Sequence, residues 1–223
     1  MNRQLIQKNS IALKICGITQ AEQALAIASL GVNAIGVIGV KNSPRFVEEN
    51  LRIKIFQDLT NFHPEIERVY VVADIHDSDI EKIITSKGAP SVIQLHGSET
   101  KQRCKYLSQT YSNIRWWKAF RIRSEEDLSS AKEYEDSIDA LLLDSWSKNQ
   151  LGGTGQKLNI KWLEHQKFKK PWWLAGGVSE EFASEVLKYL TPFGLDASSR
   201  LEISPGVKDL KKVRSLLETI KSA

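Results

Sequence analysis

Short apolar runs recur along the chain, separated by stretches whose apolar positions fall three or four residues apart. The first pattern reads as buried strands and the second as helices with one apolar face. Strands are predicted at 12–16, 33–38, 68–73, 91–95, 114–119, 139–144, 172–175 and 193–197. Several intervening helices carry start signals. Thr19-Gln20-Ala21-Glu22 and Ser78-Asp79-Ile80-Glu81 fit the capping box, in which hydroxyl and carboxylate satisfy each other's free backbone N–H groups. Ser124 with Asp127 is a weaker version of the same signal. Ser179 precedes Glu180 and Glu181, which suit the positive end of a helix, and Phe182, Val186 and Leu190 then recur on one face.

Eight strands with eight intervening or trailing helices leave two architectures, an open doubly wound sheet and a closed barrel. Closure removes both edge strands, so a count of eight favours the barrel. Dinucleotide folds also need a Gly-x-Gly-x-x-Gly turn after the first strand, and Cys16-Gly17-Ile18-Thr19 does not resemble one. The fold expected is therefore α/β, a single-domain (β/α)8 TIM barrel over residues 11–223, preceded by an arm at 1–10 whose role is not readable. In such a barrel the active groups gather at the C-terminal strand ends.

Composition narrows the partners. The 223 residues are 41% hydrophobic and 26% charged, as in an ordinary soluble globular protein, and the formal net charge of +4 suits an anionic small molecule without requiring one. With no arginine-rich run or aromatic-basic interleaving, nucleic-acid binding is not expected. No apolar run approaches the ~20 residues that span a bilayer, and the start lacks a signal-peptide apolar core, so the expected location is the cytoplasm. Two cysteines make no disulfide framework: Cys16 lies at a strand end and Cys104 inside a helix, and reduced thiols are the expectation. His63, His76 and His165 lack metal-ligand spacing, so no metal site is expected.

The strand ends then form an inventory of groups facing one crevice. Strand one offers Cys16. After strand two comes Lys41-Asn42-Ser43-Pro44-Arg45, a turn stiffened by proline. Strand four ends Gln94-Leu95-His96-Gly97, and strand six ends at Asp144 before Leu151-Gly152-Gly153-Thr154-Gly155. Strand seven runs into Gly176-Gly177, and strand eight into Asp196-Ala197-Ser198-Ser199, followed by Glu202. Any one glycine pair could merely make a tight turn. Three clusters on successive C-terminal loops favour a phosphate site built from Gly153, Gly176, Gly177, Ser198 and Ser199.

In order, Lys14-Ile15-Cys16-Gly17, Ser43-Pro44-Arg45, Gln94-Leu95-His96-Gly97, Leu142-Leu143-Asp144, Gly152-Gly153-Thr154-Gly155, Ala175-Gly176-Gly177, Asp196-Ala197-Ser198-Ser199 and Pro205-Gly206-Val207-Lys208-Asp209 resemble the phosphoribosylanthranilate isomerase family. The resemblance runs from Leu13 to Asp209, and the ordered set is far more specific than any single motif. The chain departs from the family pattern at Val37-Ile38-Gly39-Val40, Val71-Val72-Ala73-Asp74 and Asn159-Ile160-Lys161, changes that bear on pocket shape and affinity rather than on the chemistry.

The resemblance implies an Amadori rearrangement, the third step of tryptophan synthesis from chorismate, with a phosphorylated small-molecule substrate and no cofactor. It gives Asp144 the role of general acid, for which its pKa must rise well above about 3.9. Leu141, Leu142 and Leu143 make a dry strand that could supply the desolvation. Cys16 becomes the general base; its thiol, ordinarily near 8.5, needs positive charge nearby, and Lys14 lies two residues earlier on the same face. Taken alone, Asp144 could cap a turn and Cys16 could be a small buried residue. Arg45 is expected to hold the anthranilate carboxylate. His96 either lines the site or supports it through a hydrogen bond, and Asp196 contacts a sugar hydroxyl or orients a loop. Trp116-Trp117 and Trp172-Trp173 read as packing, one ring of each pair inward and one towards helices.

Three rivals remain: a barrel lyase or aldolase with a Schiff base on Lys14 or Lys118, the histidine-pathway aminoaldose isomerase, which uses two aspartates, and a non-catalytic phospholigand binder. Cys16 at the base position argues against the second. Sequence leaves monomer and homodimer open.

Overall fold

The computed structural model describes residues 11–145 and 158–223. The N-terminal arm expected at 1–10 and Gly153 with its glycine-rich run lie outside them. Eight parallel strands close on themselves: β1 Ala12–Cys16, β2 Ala34–Ile38, β3 Glu67–Val72, β4 Val92–Leu95, β5 Arg115–Ile122, β6 Ala140–Ser145, β7 Trp172–Leu174 and β8 Gly194–Ala197. Pairing of β1 with β8, Lys14 opposite Asp196, closes the ring. That excludes the open doubly wound sheet.

Around the ring lie α1 Ala21–Ala28, α2 Glu49–Phe62, α3 Asp77–Thr85, α4 Lys101–Thr110, α5 Glu125–Lys132, α6 Glu180–Val186 and α7 Leu210–Lys221. Between β6 and β7 the described residues hold one 3-10 turn, Ile160–Trp162, where an eighth helix was expected. After β8 a two-stranded hairpin, β9 Glu202–Ser204 with β10 Val207–Lys208, folds back before α7.

Two of the capping boxes read from sequence do not form. The hydroxyl of Thr19 donates instead to the carbonyl of Gly206, 2.8 Å away in the β9–β10 turn, and α1 begins after Gln20. Ser78 lies inside α3, whose N-cap is His76. The weakest of the three is the one built: Asp127 accepts the N–H of Ser124 at the start of α5. Ser179 accepts from the N–H of Phe182 and caps α6 as expected.

Each strand is buried on both faces, which is why the apolar runs do not alternate. Outward side chains pack against the helices in one large apolar layer, and inward ones form a second, smaller cluster that fills the barrel. Most inward positions are small (Ala12, Ala34, Ala119, Ala140), so two large rings fill the remaining volume. Trp117 and Trp173 meet inside the barrel with ring centroids 4.9 Å apart, while Trp116 and Trp172 face the helix layer. The tryptophan pairs are packing, as their alternation predicted. Removing one inner ring leaves a cavity that small neighbours cannot collapse into. Trp117→Ala is therefore expected to lower stability by about 3–5 kcal/mol, read from urea unfolding.

Candidate active site

The C-terminal strand ends surround one cleft. Its lining brings together Cys16, Arg45, His96, Asp144, Gly176, Gly177, Asp196, Ser198 and Ser199, nine of the ten positions singled out from sequence. The tenth, Gly153, lies outside the described residues. Ile38, Val40 and Val71 add apolar wall. Cys16 on β1 and Asp144 on β6 stand three strands apart around the ring, which sets thiol and carboxyl on different sides of one mouth.

Asp144 ends an apolar strand and is itself buried. Loss of water, followed by the nearby Asp196 carboxylate, pushes its carboxyl up to about 7. Arg121, its register neighbour on β5, and Lys14 pull the other way. Strand β5 runs on past the predicted 119 to Ile122, and that extension is what brings Arg121 level with Asp144.

His96 is buried at the end of β4 with Nε2 3.7 Å from Asp144 Oδ2. Burial, with Lys118, Arg121 and Lys14 adding positive charge, drives its pKa down to about 3, so the ring is neutral and makes no ion pair with the acid. Its Nδ1 lies 3.4 Å from Gln94 Nε2. His96 thus both lines the cleft and is held by a neighbour on its own strand.

Cys16 is also desolvated, and burial pushes its thiol above the ordinary cysteine range. Lys14 and, more weakly, Lys208 oppose that rise without reversing it. The side chain of Lys14 is wholly buried, with Nζ 2.9 Å from both oxygens of Asp196. Burial pushes the Asp196 carboxyl up and Lys14 draws it back, while the pKa of Lys14 is itself raised, so the lysine keeps its proton at neutral pH.

Arg45 donates through Nε and Nη2 to the two oxygens of Glu202, each at 2.7 Å, a bidentate pair that crosses from the β2 loop to β9. Glu202 also accepts from Lys208 Nζ at 2.7 Å, and the two cations hold its carboxyl down at about 2. Lys208 also reaches the hydroxyl of Ser198, which itself donates to the carbonyl of Cys16. That hydroxyl ties the strand eight loop to strand one. The left-handed φ of Gly176 and Gly177, +87° and +70°, strains any L side chain and turns the backbone of the strand seven loop along the cleft.

Sequence reasoning gave no role to Glu202, Lys208 or Gln94 and did not single out Arg200, which lines the cleft beside Ser199. The strand-end inventory contained Glu202 and Gln94, but nothing local marks a carboxylate as the partner of an arginine 157 residues away. Lys118, one of the two candidate Schiff-base lysines, is buried and donates to the carbonyls of Gly97 and Ala119, with Glu99 3.1 Å away. Lys14, the other, is held as the ammonium. Neither is set up as a nucleophile.

Fold and site define a class: a (β/α)8-barrel enzyme whose buried ionisable groups converge on one cleft beside glycine- and serine-bearing loops. The family model for N-(5'-phosphoribosyl)anthranilate (PRA) isomerase matches residues 13–219, and the chain belongs to that family. It is 40% identical over 210 residues to N-(5'-phosphoribosyl)anthranilate isomerase of Thermosynechococcus vestitus, covering 94% of this chain and 90% of that protein. Among solved structures it superposes on phosphoribosyl anthranilate isomerase from Thermotoga maritima with a TM-score of 0.84 at 25% identity, over 96% of this chain and all of that one. A phosphoribosyl anthranilate isomerase in complex with reduced 1-(o-carboxyphenylamino)-1-deoxyribulose 5-phosphate superposes with a TM-score of 0.79, also at 25% identity, over 96% of this chain and all of that one.

Glu202 holds two buried cations, so Glu202→Gln is expected to destabilise the chain by about 3 kcal/mol at pH 7. A carboxyl depressed from 4.5 to about 2 stabilises the fold fully above 4.5 and loses that contribution as pH falls through 2. The gap between wild type and variant in urea unfolding should therefore narrow from pH 4.5 downwards.

Proposed function

We propose that the chain converts N-(5'-phosphoribosyl)anthranilate into 1-(o-carboxyphenylamino)-1-deoxyribulose 5-phosphate, the Amadori step of tryptophan biosynthesis. The observation that carries this is the shared cleft, in which a buried thiol and a buried carboxyl titrating near neutrality face the same space. Asp144 gives its proton to the ring oxygen of the furanose as the C1–O bond breaks, leaving a Schiff base between C1 and the aniline nitrogen. Cys16 removes the proton on C2, and the resulting enolamine tautomerises, C1 gaining a proton as C2 becomes the ketone. C1 is reduced as C2 is oxidised within the one substrate, so proton transfers suffice and no outside oxidant or reductant takes part.

The remaining groups hold the substrate. The loops after β7 and β8, with Gly176, Gly177, Ser198 and Ser199 beside Arg200, take the phosphate. Arg45 has donors beyond the two given to Glu202, and these take the anthranilate carboxylate. Ile38 and Val40, from the same segment as Arg45, face the aromatic ring. Asp196 lines the cleft within reach of a sugar hydroxyl while bound to Lys14 below. Among the described residues no helix is long and apolar enough to cross a membrane, and a cytoplasmic site of action fits a biosynthetic enzyme of this kind.

The acid must be protonated and the base deprotonated, yet burial puts the carboxyl at about 7 and the thiol above the ordinary cysteine range. The two groups titrate in the order opposite to their roles. In free enzyme only a minor fraction of molecules then holds both in the productive state. That state becomes more populated as pH rises, until Asp144 itself begins to ionise. Log kcat/KM is accordingly expected to climb to about pH 7, level off, and fall only above the thiol's own pKa. A profile that declines through pH 7 would overturn the assignment.

Loss of anthranilate fluorescence from the substrate reports turnover directly. Asp144→Asn and Cys16→Ser should each lower kcat by ~10²–10⁴-fold. An inert wild type under the same assay refutes the activity.

A further inference from the structure

Lys14 is surrounded by the site without lining its cleft, whereas Cys16, Asp196 and Asp144 all do. A substrate therefore meets the three neighbours and never Lys14 itself. From β1, the Lys14 side chain rises on the inward face beneath Cys16. Its charge bears on the sulfur, and its ammonium holds both oxygens of Asp196 on the adjoining strand β8. The Asp196 carboxylate in turn bears on Asp144. One buried ammonium and one buried carboxylate thus link the two groups that exchange protons with the sugar.

The space for this link is made by β2. Gly36 is the register partner of Cys16, and a Cβ there would lie 2.8 Å from the sulfur and 3.2 Å from Lys14 Cε. A side chain at this position would push into both groups where they meet. Buried ion pairs are no more stabilising than well-packed apolar residues of the same volume. Stability therefore gives no reason for an ion pair directly below the cleft, above a barrel interior built largely of alanine, valine, leucine and tryptophan.

We propose that Lys14 is a positioning residue for the isomerisation: shared between the Cys16 sulfur and the Asp196 carboxylate, it stabilises the thiolate form of the base, while Asp196 keeps the proton on Asp144. The pair thereby counters the inverted titration order that burial imposes. Its two halves act in opposite senses on the two sides of the cleft. The other charges around Cys16 are Lys208 and Arg45, the latter neutralised by Glu202, and around Asp144 they are Arg121 and the neutral His96. This rests on reading Cys16 as the base.

The test is alkylation of Cys16 by iodoacetamide as a function of pH without substrate, followed by mass spectrometry of the Cys16 peptide, alongside steady-state kinetics. In Lys14→Met the alkylation profile should move to higher pH by about one unit, a tenfold loss of thiolate at fixed pH. Its kcat should fall by the same factor, with KM within about twofold of wild type, since Lys14 touches no substrate. Lys14→Met strands Asp196, so Gly36→Ala provides a variant that keeps both charges and parts them from the sulfur. It should move the profile in the same direction. Asp196→Asn leaves Lys14 to the sulfur alone and should move the profile to lower pH. Unchanged alkylation profiles in Gly36→Ala and Asp196→Asn overturn the proposal, as does a shifted profile in Lys14→Met with kcat untouched. A wild type inert towards the anthranilate substrate would sink the isomerase reading but leave the alkylation result standing, so the two failures are distinguishable.

Discussion

Exclusion of water from the mouth of the barrel is the constraint from which the site's properties follow. Desolvation is the largest influence on Asp144, His96, Cys16 and Asp196 alike. It disfavours whichever form is charged, so its usefulness depends on the group. For Asp144 it retains the proton an acid must give. For His96 it removes a charge that would otherwise pair with Asp144 and draw that proton away. For Cys16 it works against the proposed role, and the surrounding cations are placed where they oppose it. A more open mouth would lower the acid and the thiol together.

The cations are themselves restrained by carboxylates. Lys14 is matched by Asp196, and Glu202 is shared between Arg45 and Lys208. Three cations against two carboxylates leave one positive charge in excess around the sulfur, and a thiolate would balance it. The same contacts fasten the loops together: Arg45 joins the β2 loop to β9, and Ser198 joins the end of β8 to β1. Substrate groups therefore enter a site whose walls are already tied, which lowers the ordering cost of binding.

How much of this could be read from sequence depended on whether the determining contact was local. Strand positions were legible because both faces of each strand are buried and the apolar runs are continuous. The end of β5 is not legible because Arg121 interrupts such a run, although pairing with β6 carries the strand onward to Ile122. Capping boxes at Thr19 and Ser78 satisfied the local rule and failed, since Thr19 finds a better acceptor in Gly206 and Ser78 is taken up within α3. In the site, residue types at strand ends identified the groups but not their pairing. Arg45 with Glu202 and Lys14 with Asp196 are contacts across 157 and 182 residues, and only closure of the ring brings them together.

Ring closure also explains why a lysine imine is the weaker chemistry for this barrel. A nucleophilic lysine must lose its proton near neutral pH and reach the substrate. Lys14 does neither: its ammonium is fixed by two carboxylate oxygens on the strand that closes the ring, and its side chain ends below the cleft. Lys118 projects to the outer side of the sheet, where Phe120 lies under its ammonium and backbone carbonyls take its protons. The aminoaldose needs no such adduct, because its own aniline nitrogen supplies the imine once the ring opens. What the protein must provide is a proton at one side of the sugar and a site to receive one at the other. A closed barrel does this with two strands three places apart.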